Sequence, residues 1–180
     1  MSATVPISPA NSTLVIVDLQ ERFAPAIEGW DEIVRAATTL ARAATVLGWP
    51  VIVTEQYPQG LGPTVSPVAG ALEPFEPLEK TAFPATSASG FDLAGRSHAV
   101  LCGVETHVCV LQSALALAGQ GVEVQVATDA TGSRKAADRD AALARMAAVG
   151  IVPTTVEAAG FELLGSADAE GFREFQGLIK

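Results

Sequence analysis

The residues best suited to covalent chemistry in this chain are one cysteine, one aspartate and one lysine, far apart in sequence. Cys109 stands in GVETHVCV, Gly103 to Val110, where an apolar run ends and a helical pattern begins. With a helix starting near Thr106 as its N-cap, Cys109 falls in the first turn. Unpaired backbone N–H groups and the helix dipole favour a thiolate there, and the same donors could hold the oxygen of a tetrahedral intermediate. The alternative is a small packed hydrophobe, and spacing does not separate the two. Cys102, inside the apolar run HAVLC, reads as structural. Asp18 directly follows LVIV, so its carboxylate emerges at the end of a buried strand and calls for a partner or a task, unless it only caps a turn. Lys80, between PFEPLE and TAFP, reads on its own as a surface lysine.

Short β-branched runs alternating with helical patterns must position these groups. Thr13 to Val17, Val51 to Thr54, His98 to Cys102, Val122 to Ala127 and Ile151 to Val152 read as strands. Asp31 to Leu47 and Lys135 to Val149 read as helices, stopped by Gly48 and Gly150. Continuously apolar strands separated by helices predict a three-layer α/β/α fold with a mostly parallel, Rossmann-like sheet, in a single domain over residues 1–180. Ligands of such sheets bind beyond the carboxyl ends of the strands. That rule selects Asp18, Glu55 to Tyr57, Val104 to Cys109 and Asp129 to Ser133. The segment from Gln56 to Pro84, rich in Pro and Gly, reads as a long functional loop.

Twenty acidic residues against 11 basic ones give a net charge of −9, which disfavours nucleic acid and anionic lipid as partners. No apolar run is long enough to cross a membrane, and the first residues, MSATVPISPANS, lack the features of a secretory signal, so a cytoplasmic location is the expectation. Two cysteines make neither a disulfide framework nor a zinc-finger spacing. The low charged fraction, 17%, fits a homo-oligomer, a dimer or tetramer.

VDLQERF (17–23), TEQYPQGLGPT (54–64), EKTAFPA (79–85), GVETHVCV (103–110) and DATGSR (129–134) occur in this order along the chain. Together they resemble the isochorismatase-like cysteine hydrolase superfamily, with TEQYPQGLG and ETHVCV most similar to its isochorismatase domain-containing branch. The resemblance implies an Asp18, Lys80 and Cys109 triad: Asp18 takes the thiol proton, Cys109 attacks, and Lys80 holds the charge in place. It also implies a non-proline cis peptide at Val104 and Glu105, and oxyanion donors from the backbone of Val104, Glu105, Val108 and Cys109. A thiol near an ammonium and a helix start is expected to be a readier thiolate.

Isochorismatases proper do not depend on the cysteine, so retention of Cys109 argues against isochorismate as substrate. The nicotinamidase metal motif, Asp-x-His, is replaced by Glu55, Gln56 and Tyr57, so no metal and no cofactor are expected. His98 reads as structural, and His107 as either pocket lining or packing. Gln20, Phe23, Tyr57, Phe83 and Thr106 are the expected substrate-binding residues around an uncharged planar small molecule. Ser133 reads as a helix cap, followed by Arg134 and Lys135 as solvated bases, with an Arg134 contact to a substrate carboxylate as the sharper alternative. The expected activity is hydrolysis of a C–N bond in a small amide-like compound through a covalent Cys109 intermediate. The rival is a non-catalytic oligomeric scaffold with a redox-sensitive thiol.

Overall fold

The computed structural model describes residues 5–180. Its centre is β1 (Ser12–Val17), buried at every position, as its unbroken apolar run requires of a strand covered on both faces. The other strands are β2 (Val51–Gln56), β3 (Leu78–Lys80), β4 (His98–Val104), β5 (Glu123–Gly132) and β6 (Val152–Thr154). They form one six-stranded sheet in the order β3-β2-β1-β4-β5-β6, with every pairing parallel.

Alternate residues of the strands enter two different cores. Leu14, Ile16, Val100 and Cys102 pack with Ile33, Ala37 and Leu40 of α1 (Trp30–Leu47) and with Ala159 of α6 (Val156–Leu164). Val15, Val17 and Leu101 pack on the opposite face with Ala114 and Leu117 of α4 (Leu111–Gly119) and with Met146 of α5 (Ala136–Ala148). The three layers are therefore helix, sheet and helix. A last helix, α7 (Phe172–Ile179), buries Phe175 edge-on against Phe161, with ring centroids 5.4 Å apart, so this aromatic covers its own chain's α6. Among the described residues no helix is long and apolar enough to cross a membrane.

Three expectations need correction. The Gln56 to Pro84 segment is not one long loop: it contains α2 (Pro58–Leu61), α3 (Ser66–Leu72) and the short edge strand β3. The fourth predicted strand does not stop at Ala127 but continues as β5 through Gly132, with a register shift opposite Leu101 and Gly103. Asp129 thus lies inside a strand, where its carboxylate accepts the Val156 N–H at the start of α6 at 3.0 and 3.1 Å. The last strand is Val152–Thr154 and includes Pro153, which an edge strand tolerates because one side of its ladder is unpaired.

Strand order reverses direction at β1, with β2 on one side and β4 on the other, and this switch point opens the crevice at the carboxyl ends. The two strands approach closely there. Gly103 has φ of 114°, and a Cβ at this position would fall on the Val17 backbone, so only glycine fits.

Candidate active site

Asp18, Lys80 and Cys109 converge at this switch point. Asp18 leaves β1 with φ of 52°, a left-handed conformation uncommon outside glycine. Its N–H is held by Thr54 O at 3.1 Å. Lys80 ends β3, and its Nζ donates to Asp18 Oδ2 at 2.7 Å with both side chains sealed from solvent. Expected on its own as a surface residue, this lysine is buried because β3 pairs with β2 and brings it inward. Two neighbours complete the polar cluster: Thr54 Oγ1 donates to Asp18 Oδ1 at 2.7 Å, and Gln56 Oε1 accepts from Lys80 Nζ at 2.7 Å. Thr54 had no place among the expected site residues; its signal was its position beside Val17 in the β1–β2 register.

Cys109 lies in a π-helical turn, Thr106–Val110, that leads into α4. The N-cap is Glu105 instead of Thr106, with the Glu105 carbonyl accepting from Val108 N at 3.0 Å and Val110 N at 3.2 Å. Val108 therefore has its N–H turned back into the turn, which removes it from the expected oxyanion donors. The Val104–Glu105 peptide is cis, as the resemblance implied. Ser113 ties this turn to the lysine segment: its Oγ donates to Cys109 O at 2.6 Å and accepts from Ala85 N at 2.7 Å.

The thiol itself departs from expectation. Burial, followed by the negative charge of Asp18, pushes Cys109 up to about 12 despite the opposing pull of Lys80. This electrostatic setting favours a protonated Cys109 thiol over a preformed thiolate. Cys102 is pushed higher still, chiefly by complete burial, as a packed core thiol should be.

Several expected binding residues do other work. Gln20 is fully buried, and its amide is consumed by backbone: Nε2 donates to Gln56 O at 3.0 Å and Gly62 O at 2.7 Å, while Oε1 accepts from Gln56 N at 2.8 Å. It clamps the loop after β2 and has no polar atom left for substrate. Phe23 packs against the α1-side core. Thr106 is buried, its hydroxyl 3.0 Å from that of Thr131. Tyr57 and Phe83 remain half exposed on the segments flanking β3. His107 Nδ1 meets Ser133 Oγ at 3.0 Å, and Ser133 is buried instead of capping α5, whose N-cap is Lys135. Arg134 donates through Nε to Glu105 Oε2 at 2.8 Å, and this contact raises the guanidinium pKa further. No group of three or more His, Cys, Asp or Glu side chains converges among the described residues in a way that could hold a metal ion.

The isochorismatase domain family model matches residues 12–158, which span every element just described except α7 and the end of α6. The chain belongs to the isochorismatase family. Isochorismatase domain-containing protein 1 of Danio rerio is 43% identical over 180 residues, covering 97% of this chain. The chain spans 62% of that relative's length. Among solved structures, the MAR1 ribonuclease of Caenorhabditis elegans superposes with a TM-score of 0.91 at 39% identity, covering 97% of this chain and 92% of that one. YcaC of Pseudomonas aeruginosa, solved with hexane-2,5-diol and covalent acrylamide, superposes with a TM-score of 0.87 at 27% identity, covering 99% and 93%. The isochorismatase-family domain thus carries the fold expected from its sequence.

Proposed function

We propose that the protein is a cysteine hydrolase that cleaves a C–N bond of a small, uncharged amide-like substrate. The observation that carries this reading is the buried Asp18–Lys80 ion pair at 2.7 Å with the Cys109 thiol close enough to feel both charges, which puts a proton acceptor, an ammonium and a thiol at one point. A covalent adduct of acrylamide with the Pseudomonas aeruginosa relative agrees with a reactive nucleophile in this fold.

As the Cys109 Sγ attacks the substrate carbonyl carbon, its proton moves to Asp18, so no free thiolate has to exist beforehand. Lys80 stabilises the Asp18 carboxylate before the transfer and the developing negative charge during it. Backbone N–H groups of Glu105 and Cys109 receive the oxyanion of the tetrahedral intermediate. Asp18 then returns the proton to the leaving nitrogen, the C–N bond breaks, and a thioester on Cys109 remains. Water, deprotonated by Asp18, attacks that thioester and releases the acid product with the thiol restored. Tyr57 and Phe83 supply apolar surface at the rim.

Phosphodiester cleavage, the activity named for the Caenorhabditis elegans relative, is disfavoured in this chain by its net charge of −9, which repels a polyanionic substrate. The test is a screen of small primary amides with product ammonia measured, run beside Cys109→Ala, with mass spectrometry for an adduct on Cys109 whose mass matches the acyl group of the amide used. Turnover with the adduct supports the reading. Ammonia release undiminished in Cys109→Ala, or no release from any amide, overturns it.

A further inference from the structure

A second cavity, of about 630 Å³, opens at the opposite end of the sheet, where β4, β5 and β6 begin. Its size falls within the range of small-molecule sites. Its floor interrupts an apolar pattern. Val100, Cys102 and Ala127 keep the α6 face of the sheet apolar, but toward the amino ends that face turns to His98, Glu123 and Gln125, with Glu162 of α6 beside them.

Polar groups in such a place normally satisfy one another, and two here do not. His98 is 4% exposed and lines the cavity, yet its Nε2 has no hydrogen-bond partner; Glu123 Oε2 stands 3.4 Å away without forming one. His98 Nδ1 is 2.8 Å from Ser97 Oγ, so a proton on Nδ1 leaves Nε2 as an acceptor. Gln125 donates its Nε2 to both Glu162 oxygens, at 3.2 and 3.3 Å, which leaves its Oε1 buried and unpartnered as well. Gln125 Oε1 therefore calls for a donor, as does His98 Nε2 in the tautomer protonated at Nδ1, and both lie between two carboxylates. Among the described residues no lysine or arginine lines the cavity.

We propose that this cavity binds a small primary amine, as its ammonium ion, carrying a compact apolar body. The ammonium donates to Gln125 Oε1 and His98 Nε2 and is balanced by Glu123 and Glu162. Its three N–H donors match the acceptors that the protein leaves open, and a neutral alcohol offers one donor with no charge. Val5, Val149 and Val152, each at least 44% exposed, supply apolar walls around the body. The site lies beyond the opposite ends of the strands from Cys109, so it does not depend on the hydrolase reading.

The experiment is a titration of the nitrogen-15-labelled full chain with benzylamine, benzyl alcohol and benzoate, followed by two-dimensional NMR. Expected are saturable benzylamine shifts centred on His98 and Gln125, no saturation with the other two, and affinity reduced roughly tenfold in Gln125→Met, which keeps the volume and removes the acceptor. Glu123→Gln, a change at a half-exposed side chain with little risk to folding, should also weaken benzylamine. The proposal is overturned if benzyl alcohol binds as tightly, if the shifts fall on Glu105 and Cys109 instead, if benzylamine does not saturate, or if folded Gln125→Met and Glu123→Gln bind as the parent does.

Discussion

Lys80 Nζ and Asp18 Oδ2 meet at 2.7 Å where solvent reaches neither side chain. Each charge is compensated by the other, with Thr54 and Gln56 filling one further hydrogen-bonding position apiece. Removing one partner leaves the other buried without its counter-charge. Lys80→Met is therefore expected to destabilise the protein by about 3–5 kcal/mol, and Asp18→Asn combined with it to restore part of that loss. Urea unfolding of the two variants checks this; a Lys80→Met protein as stable as the parent would contradict the buried pair.

Asp18 raises the Cys109 thiol and, in the proposed mechanism, receives its proton, so its removal should separate reactivity from turnover. In Asp18→Asn the thiol falls from about 12 toward the influence of Lys80, and iodoacetamide alkylation at pH 8 becomes faster than in the parent. Hydrolysis moves the other way, by about 100-fold or more, because the base is gone. Slower alkylation in this variant would show that Asp18 generates a thiolate at rest.

The same thiol makes stability depend on alkaline pH. A folded pKa raised above the unfolded value of about 8.5 means that the unfolded chain loses the proton first. The contribution is complete below that value and is lost as pH rises toward about 12. Cys109→Ala should therefore flatten the fall in unfolding free energy between pH 8 and pH 11 relative to the parent, measured by urea titration at each pH. An unchanged slope would refute the raised thiol.

Gln20 makes three hydrogen bonds to the backbone around the loop after β2. Gln20→Leu leaves the Gln56 N–H and the carbonyls of Gln56 and Gly62 without those partners, at an expected cost of about 2–4 kcal/mol. Hydrogen exchange should accelerate at Gln56 and Thr64 before it does in β1 or β4. Turnover should fall too, since Gln56 positions Lys80. A purely substrate-contacting Gln20 would instead raise KM and leave exchange unchanged.

Gly103 is the tightest point between β1 and β4. Gly103→Ala sets a Cβ against the Val17 backbone and asks an L-residue to hold φ of 114°, so a loss above about 4 kcal/mol or failure to fold is expected. Thermal unfolding of the purified variant decides it.

The central strands and long helices were legible because burial on both faces writes an unbroken apolar run, as in β1 and β4, and burial on one face writes the 3.6-residue stripe of α1. Asp18 and the Cys109 turn were legible as strand ends. β3 was not, since three residues amid prolines carry no period, and with it went the burial of Lys80, which only the family motif indicated. The extension of β5 was hidden because Thr128, Asp129 and Thr131 spend their polar atoms inside the protein, on Thr154 O, Val156 N and Gly103 O. Gln20 looked free for substrate because a side chain's occupation by backbone across 36 residues leaves no local trace.

The three groups of the proposed triad come from residues 18, 80 and 109, each at the end of a strand or in the turn that follows one, and no continuous piece of the chain holds two of them close together. Recombining separately produced fragments that divide the chain between β3 and β4 would bring them together again only by rebuilding the β1–β4 ladder. Under the proposed function, counting reactive sites with a covalent amide probe would therefore count correctly paired sheets, molecule by molecule, in a preparation of this protein.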